Sequence, residues 1–154
     1  MDMGRKAELH PLGERQRVVF AACCCERMLP AYENFSREDG WGDPRPLRDA
    51  LERVWASANG KPVDAKEAQL LVSLCAEQVP HLDDPSTSIF TSAAQNAAIA
   101  VLRAIECAVE GDVELAQGVG DIALDAFETY VDCNRRSRCA FRRGAHHLES
   151  HLPK

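Results

Sequence analysis

Between residues 88 and 110 the chain carries one unbroken apolar stripe: Phe90, Ala93, Ala94, Ala97, Ala98, Val101, Leu102, Ile105 and Ala108. Steps of three and four residues place all of these on one side of an α-helix. Most are small, so a neighbouring helix can approach closely. A chain with this segment at its centre has to cover that side with further helices.

The rest of the sequence supplies them. Residues 14–29 hold an eight-residue apolar block, Val18 to Cys25, which predicts a helix surrounded by others. Pro30 breaks or kinks it, and Ala31 to Phe35 add a further turn. The segment 36–46, rich in Gly, Pro and acids around Trp41, reads as a loop. Leu47, Ala50, Leu51, Val54, Trp55 and Ala58 define the next helical face, closed by Asn59-Gly60. Asp64 and Glu67 are spaced as an acidic capping pair for a helix carrying Ala68, Leu71, Leu74, Cys75 and Val79. After Gly111-Asp112 a last helix, 112–132, turns Leu115, Ala116, Val119, Ile122, Ala123, Ala126, Phe127 and Tyr130 inward. The expected fold is all-α, a single compact bundle of about five helices.

Charge divides the chain in two. Residues 1–132 carry 12 Lys+Arg against 23 Asp+Glu, while residues 133–154 carry 6 against 1. We therefore read an acidic helical domain, 1–132, and a basic, poorly periodic tail, 133–154. The net charge of −6 argues against nucleic acid as a partner. No apolar run reaches the ~20 residues of a membrane span. The opening MDMGRKAELH has no apolar signal core, so a cytoplasmic location is expected.

Seven cysteines, three of them adjacent, include no CxxC pair. They read as small buried hydrophobes of a reducing compartment rather than a metal or redox motif. Cys133 and Cys139 with His146, His147 and His151 can be drawn as a zinc cluster, but their spacing is wrong for a finger. Gly118-Val119-Gly120 resembles a phosphate loop only superficially, with no preceding strand and no following Lys-Ser/Thr. No catalytic, cofactor or metal residues are assigned.

Two groups of residues remain as candidates. Glu26 and Arg27 follow the apolar block directly. They form either a polar pair in a site between helices or the point where a buried helix emerges and pairs with partners to fix its register. Glu38, Asp39, Trp41 and Asp43, with Asp83 and Asp84 in the later loop, place an aromatic among acids. The spacing does not match a calcium loop. The composition suits an anchor for a basic partner protein.

The run VVFAACCCERMLPAYENFS, followed by GWGD and LRDALERVW, resembles the DUF416 family of bacterial proteins. The motif positions here are Cys25, Glu26, Arg27, Met28, Pro30, Tyr32 and Phe35, followed by Gly40, Gly42 and Trp55. The resemblance covers residues 12–132 and implies an all-helical fold. It implies no activity, since the family is uncharacterised, and only an associational link to signalling. The tail departs from the family pattern. It fits either a lineage-specific basic arm or a GC-rich gene read out of frame.

Three classes of function follow. The first is a non-enzymatic, immunity-type partner that neutralises a basic toxin or effector, and the acidic charge and missing catalytic set favour it. The second is a signalling adaptor linked to histidine-kinase systems. The third is an enzyme with an unrecognised site near Glu26 and Arg27, for which a raised Glu26 pKa would be the mark. Pairing with a second copy of the chain is open in every class.

Overall fold

The computed structural model describes residues 8–83 and 90–149. Five helices are delimited among the described residues: α1, Glu14–Asp39; α2, Arg45–Ala58; α3, Ala65–Ala76; α4, Thr91–Glu110; and α5, Val113–Glu149. No strand occurs among the described residues. Contacts divide the chain into two units, Met1–Ala123 and Leu124–Lys154. The first holds α1–α4 and the start of α5. The second contains the remainder of α5.

Within the first unit α4 is the central helix, packed most extensively on α1 and also on α2 and α3. Ala94, Ala97, Ala98, Ala100, Val101, Ala104, Ile105 and Cys107 are all fully buried. At 100° per residue these positions span about half the helix circumference. The buried arc is thus about as wide as the stripe read from sequence, but rotated by about 40°. Ala100, Ala104 and Cys107 join it, whereas Leu102 sits half-buried at its edge, Ala93 and Ala108 are half-buried in the first and last turns, and Phe90 is exposed. Three neighbouring helices, α1, α2 and α3, share this side. Gly111 stops α4 in a left-handed conformation, φ 64°. A Cβ there would lie only 2.8 Å from Glu14 Cβ.

Helix α1 differs from expectation in two respects. It runs through Pro30 to Asp39, where Gly40 caps it at φ 65°. Pro30 is exposed, so water can take the place of the backbone donor it lacks. The four residues 36–39 therefore belong to the helix rather than the loop. Secondly, α1 is not enclosed. Val18, Ala21, Ala22 and Cys25 are buried, but Val19 and Cys23 face solvent, because the helix lies in an outer layer and buries one side only.

Helix α3 starts as the sequence indicates. The Asp64 carboxylate accepts from the Glu67 N–H at 2.8 Å. The Glu67 side chain does not return the bond. It pairs with Arg53 of α2, Nη2 to Oε2 at 2.9 Å. Only Ala68 and Cys75 of this helix are buried, and Leu74 is exposed rather than inward.

Arginines close helix C-termini elsewhere in this unit. Arg15 Nε donates to the carbonyl of Ala58 at the end of α2, at 2.8 Å. Arg17 Nη1 donates to the carbonyl of Gly111 at the end of α4, at 3.1 Å. Arg17 Nη2 also donates to His10 O, at 3.0 Å, and so ties down the segment before α1. Each guanidinium meets otherwise unpaired carbonyls at the negative end of a helix dipole.

The last helix continues well past residue 132. Ala116 and Val119 are buried in the first unit. Ile122, Ala123 and Ala126 are half-buried, and Phe127 is 63% exposed, contrary to the inward face expected of it. No helix among the described residues is long and apolar enough to cross a membrane.

Candidate functional site

The motif residues of α1 lie along two faces. Cys25, Met28, Tyr32 and Phe35 point into the core, Glu26 is half-buried, and Arg27 and Pro30 are exposed. Glu26 does not pair with Arg27. Arg48 of α2 donates from Nη1 to both its carboxylate oxygens at 2.9 Å. Trp55 Nε1, two turns further along α2, donates to Oε1 at 3.0 Å. Arg48 Nη2 also lies 3.6 Å from Glu33 Oε1.

The Arg48 hydrogen bond holds the Glu26 carboxyl below the usual carboxylate range, against partial burial and with help from Trp55. The same bond raises Arg48. Glu26 is therefore an ionised strut that sets the register of α1 on α2. A general acid would need the opposite shift.

Tyr32 forms the second junction. It is fully buried, and its hydroxyl donates to the carbonyl of Gln78 at 2.7 Å, just beyond α3. Burial, with Asp43 and Cys75 nearby, pushes its pKa up to about 12. Phe35 meets it edge to face at 5.9 Å between centroids. Gly42, at φ 75°, packs directly against the Tyr32 hydroxyl.

These contacts fix the 40–44 loop. Ser36 Oγ donates to the carbonyl of Gly42 at 2.8 Å. The Asp43 N–H donates to Gln78 Oε1, also at 2.8 Å. Asp43 in turn accepts from Arg45 through the backbone N–H and the guanidinium, which holds its carboxyl below the ordinary range. Its charge is thus internally compensated. Trp41 lies on this loop, 40% exposed, tilted against Phe35 at 6.0 Å between centroids. Glu38 and Asp39 are exposed at the end of α1, and Glu38 pairs with the exposed Arg37 at 3.3 Å. Asp83 is exposed, and Asp84 lies outside the described residues.

The structure therefore joins Glu38, Asp39, Trp41 and Asp43 on one rigid helix–loop junction, and assigns Glu26, Tyr32 and Trp55 to helix packing. Sequence reasoning missed Arg48, whose seven-residue spacing from Trp55 is the available signal, since such residues share a helix face. It also missed Gln78, which carried no sequence signal because its partners are 35 and 46 residues away.

Among the described residues no three His, Cys, Asp or Glu side chains are grouped to hold a metal ion. Cys25, Cys75 and Cys107 are buried free thiols, and Cys23 is an exposed one. Burial pushes Cys25 far above the ordinary thiol range and raises Cys75 and Cys107 to about 11.

Residues 5–140 match the family model described as "Protein of unknown function (DUF416)". The chain is 38% identical over 79 residues to the uncharacterized protein YjaG of Escherichia coli, a match covering 49% of this chain and 38% of that protein. It is 37% identical over 79 residues to the protein of the same name in Salmonella typhimurium, with the same coverage. These alignments span well under half the length of either relative. In three dimensions it is similar to the crystal structure of a DUF416 family protein from Shewanella baltica, with a TM-score of 0.74 at 23% identity. That similarity covers 84% of this chain and 66% of the other, and it is a likeness of fold.

Proposed function

Since this chain belongs to the DUF416 family, whose function is unknown, its role has to be read from its own surface, and we propose that it is a non-enzymatic protein-binding domain of the cytoplasm. Its specific task in this reading is to neutralise a basic toxin or effector, as an immunity protein does.

One observation carries the reading. Trp41 is an exposed aromatic on a loop already tied at Gly42 and Asp43, beside the exposed carboxylates of Glu38 and Asp39. An aromatic anchor that needs no ordering on binding contributes more affinity than a mobile one. Acids around it favour rapid capture of a basic surface. The polar groups of the motif support the reading from the other side, because Glu26 and Tyr32 already spend their hydrogen bonds on helix packing.

The test is affinity capture from native lysate with the tagged chain and its Trp41→Ala variant, at low and high salt. A basic protein retained by the parent, captured more slowly as salt rises and lost at least ~10-fold by the variant, supports neutralisation. Its own toxic activity is then assayed with and without this chain. Retention of a histidine kinase instead replaces neutralisation by an adaptor role. A partner indifferent to Trp41 refutes the proposed surface.

A further inference from the structure

We propose that α5 pairs with α5 of a second copy of this chain, antiparallel, through the stretch 124–148. The inference is independent of the proposed toxin partner.

In the second unit Leu124 is 40% and Phe127 63% exposed, and Val131 on the same side is half-buried. Counted along the helix, 124, 127 and 131 begin a register of alternating three- and four-residue steps. The positions that continue it are 134, 138, 141, 145 and 148, and the backbone is helical through all of them. Apolar residues hold six of the eight positions: Leu124, Phe127, Val131, Phe141, Ala145 and Leu148. A seam of 3.5-residue period is the signature of helices that pair along their length. The stretch has ~37 Å of helix at 1.5 Å per residue, about three and a half heptads.

Charge identifies the occupant and its direction. Between 124 and 132 the helix carries Asp125, Glu128 and Asp132 and no base. Between 133 and 148 it carries five arginines and no acid. Two copies side by side in parallel would set acid against acid and arginine against arginine. Reversing one copy sets each acidic half against a basic half, which favours a second copy as partner. In that register position 124 falls opposite position 148 of the second copy, and position 131 opposite position 141. The two polar seam positions, 134 and 138, fall opposite each other, as polar seam positions do when they fix register. Position 128, a glutamate, flanks the seam opposite position 142, an arginine, twice per dimer. Position 135, an arginine, falls opposite itself at the midpoint, a single like-charge register against two of opposite charge.

The test is sedimentation velocity of the full chain from ~1 to ~100 μM, with far-UV circular dichroism of each variant as a folding check. The expected result is a reversible dimer whose dissociation constant rises at least ~10-fold in Phe127→Glu. Glu128→Arg should weaken it, and adding Arg142→Glu to the same chain should restore it. A wild-type chain that stays monomeric throughout overturns the proposal. So does a dimer that Phe127→Glu leaves intact. In a parallel, in-register pair position 128 would face the uncharged Ala123 position, so a dimer insensitive to Glu128→Arg overturns the antiparallel arrangement.

Discussion

Tyr32 and Gly42 should be energetically coupled, and the structure gives the sign. Tyr32→Phe keeps the ring and removes one hydroxyl with a 2.7 Å bond to the Gln78 carbonyl. The lost bond is worth about 1 kcal/mol and the carbonyl left unpaired about 1 more, so the expected loss is about 2 kcal/mol. Gly42→Ala carries a left-handed strain of about 1–2 kcal/mol at φ 75°. It also drives a Cβ into the Tyr32 hydroxyl oxygen, with the ring carbon behind it at 3.3 Å. That overlap brings the expected loss to about 3 kcal/mol. In the double variant the oxygen is gone and the new methyl group meets only the ring edge. The combined loss should therefore fall short of the sum of the two by about 1 kcal/mol or more. Urea unfolding followed at 222 nm, with an unchanged m-value, measures all three. Additivity within ~0.5 kcal/mol would refute the reasoning, because the methyl would then be displacing something other than the hydroxyl.

Other expectations follow from neighbouring features. Glu26→Gln should lower stability by about 0.5–1 kcal/mol at pH 7, a modest figure because the pair is partly solvated. Since the folded pKa lies below the ordinary 4.5, this contribution is present above pH 4.5 and is lost as pH falls through the folded value. The gap between parent and variant melts should thus narrow as pH falls below 4.5, and a gap that stays constant through the acid range would sink the assignment. Under native conditions N-ethylmaleimide should modify Cys23 quickly and leave Cys25, Cys75 and Cys107 untouched until unfolding, as read by peptide mass spectrometry. Arg17→Ala should cost about 1–2 kcal/mol in thermal melts, having removed donors from the carbonyls of Gly111 and His10. An unchanged melting temperature would mean that water serves those carbonyls equally well.

Local chemistry made much of the fold legible. The Asp64 cap, the Gly111 stop and the period of α4 are written within a few residues of where they act. A further turn beyond Pro30, to Phe35, was legible, but an unbroken helix to Asp39 was not, because it depends on that proline facing solvent rather than a neighbour. The inward face expected for Phe127 failed for a related reason. Periodicity names a helix face but not whether anything covers it. At the site, the resemblance singled out Glu26, Tyr32 and Trp55, and composition singled out the Trp41 loop. What joins them, Arg48 and Gln78, became visible only when α1, α2 and α3 were set side by side. Long-range hydrogen bonds leave no periodic trace in sequence.

The alanines of α4 give this protein an uneven tolerance of mutation. Ala94, Ala97, Ala98, Ala100 and Ala104 have no exposed surface and almost no side chain to lose. Shrinking one to glycine removes a single buried methyl and some helix propensity, about 2 kcal/mol together. Enlarging one to valine or leucine has to displace neighbours already packed around it, at about 1–3 kcal/mol or more for each. Most cores fail by developing holes. At these five positions every substitution but glycine adds volume, so the damaging variants in a saturation scan of α4 should be sorted mainly by the volume they add.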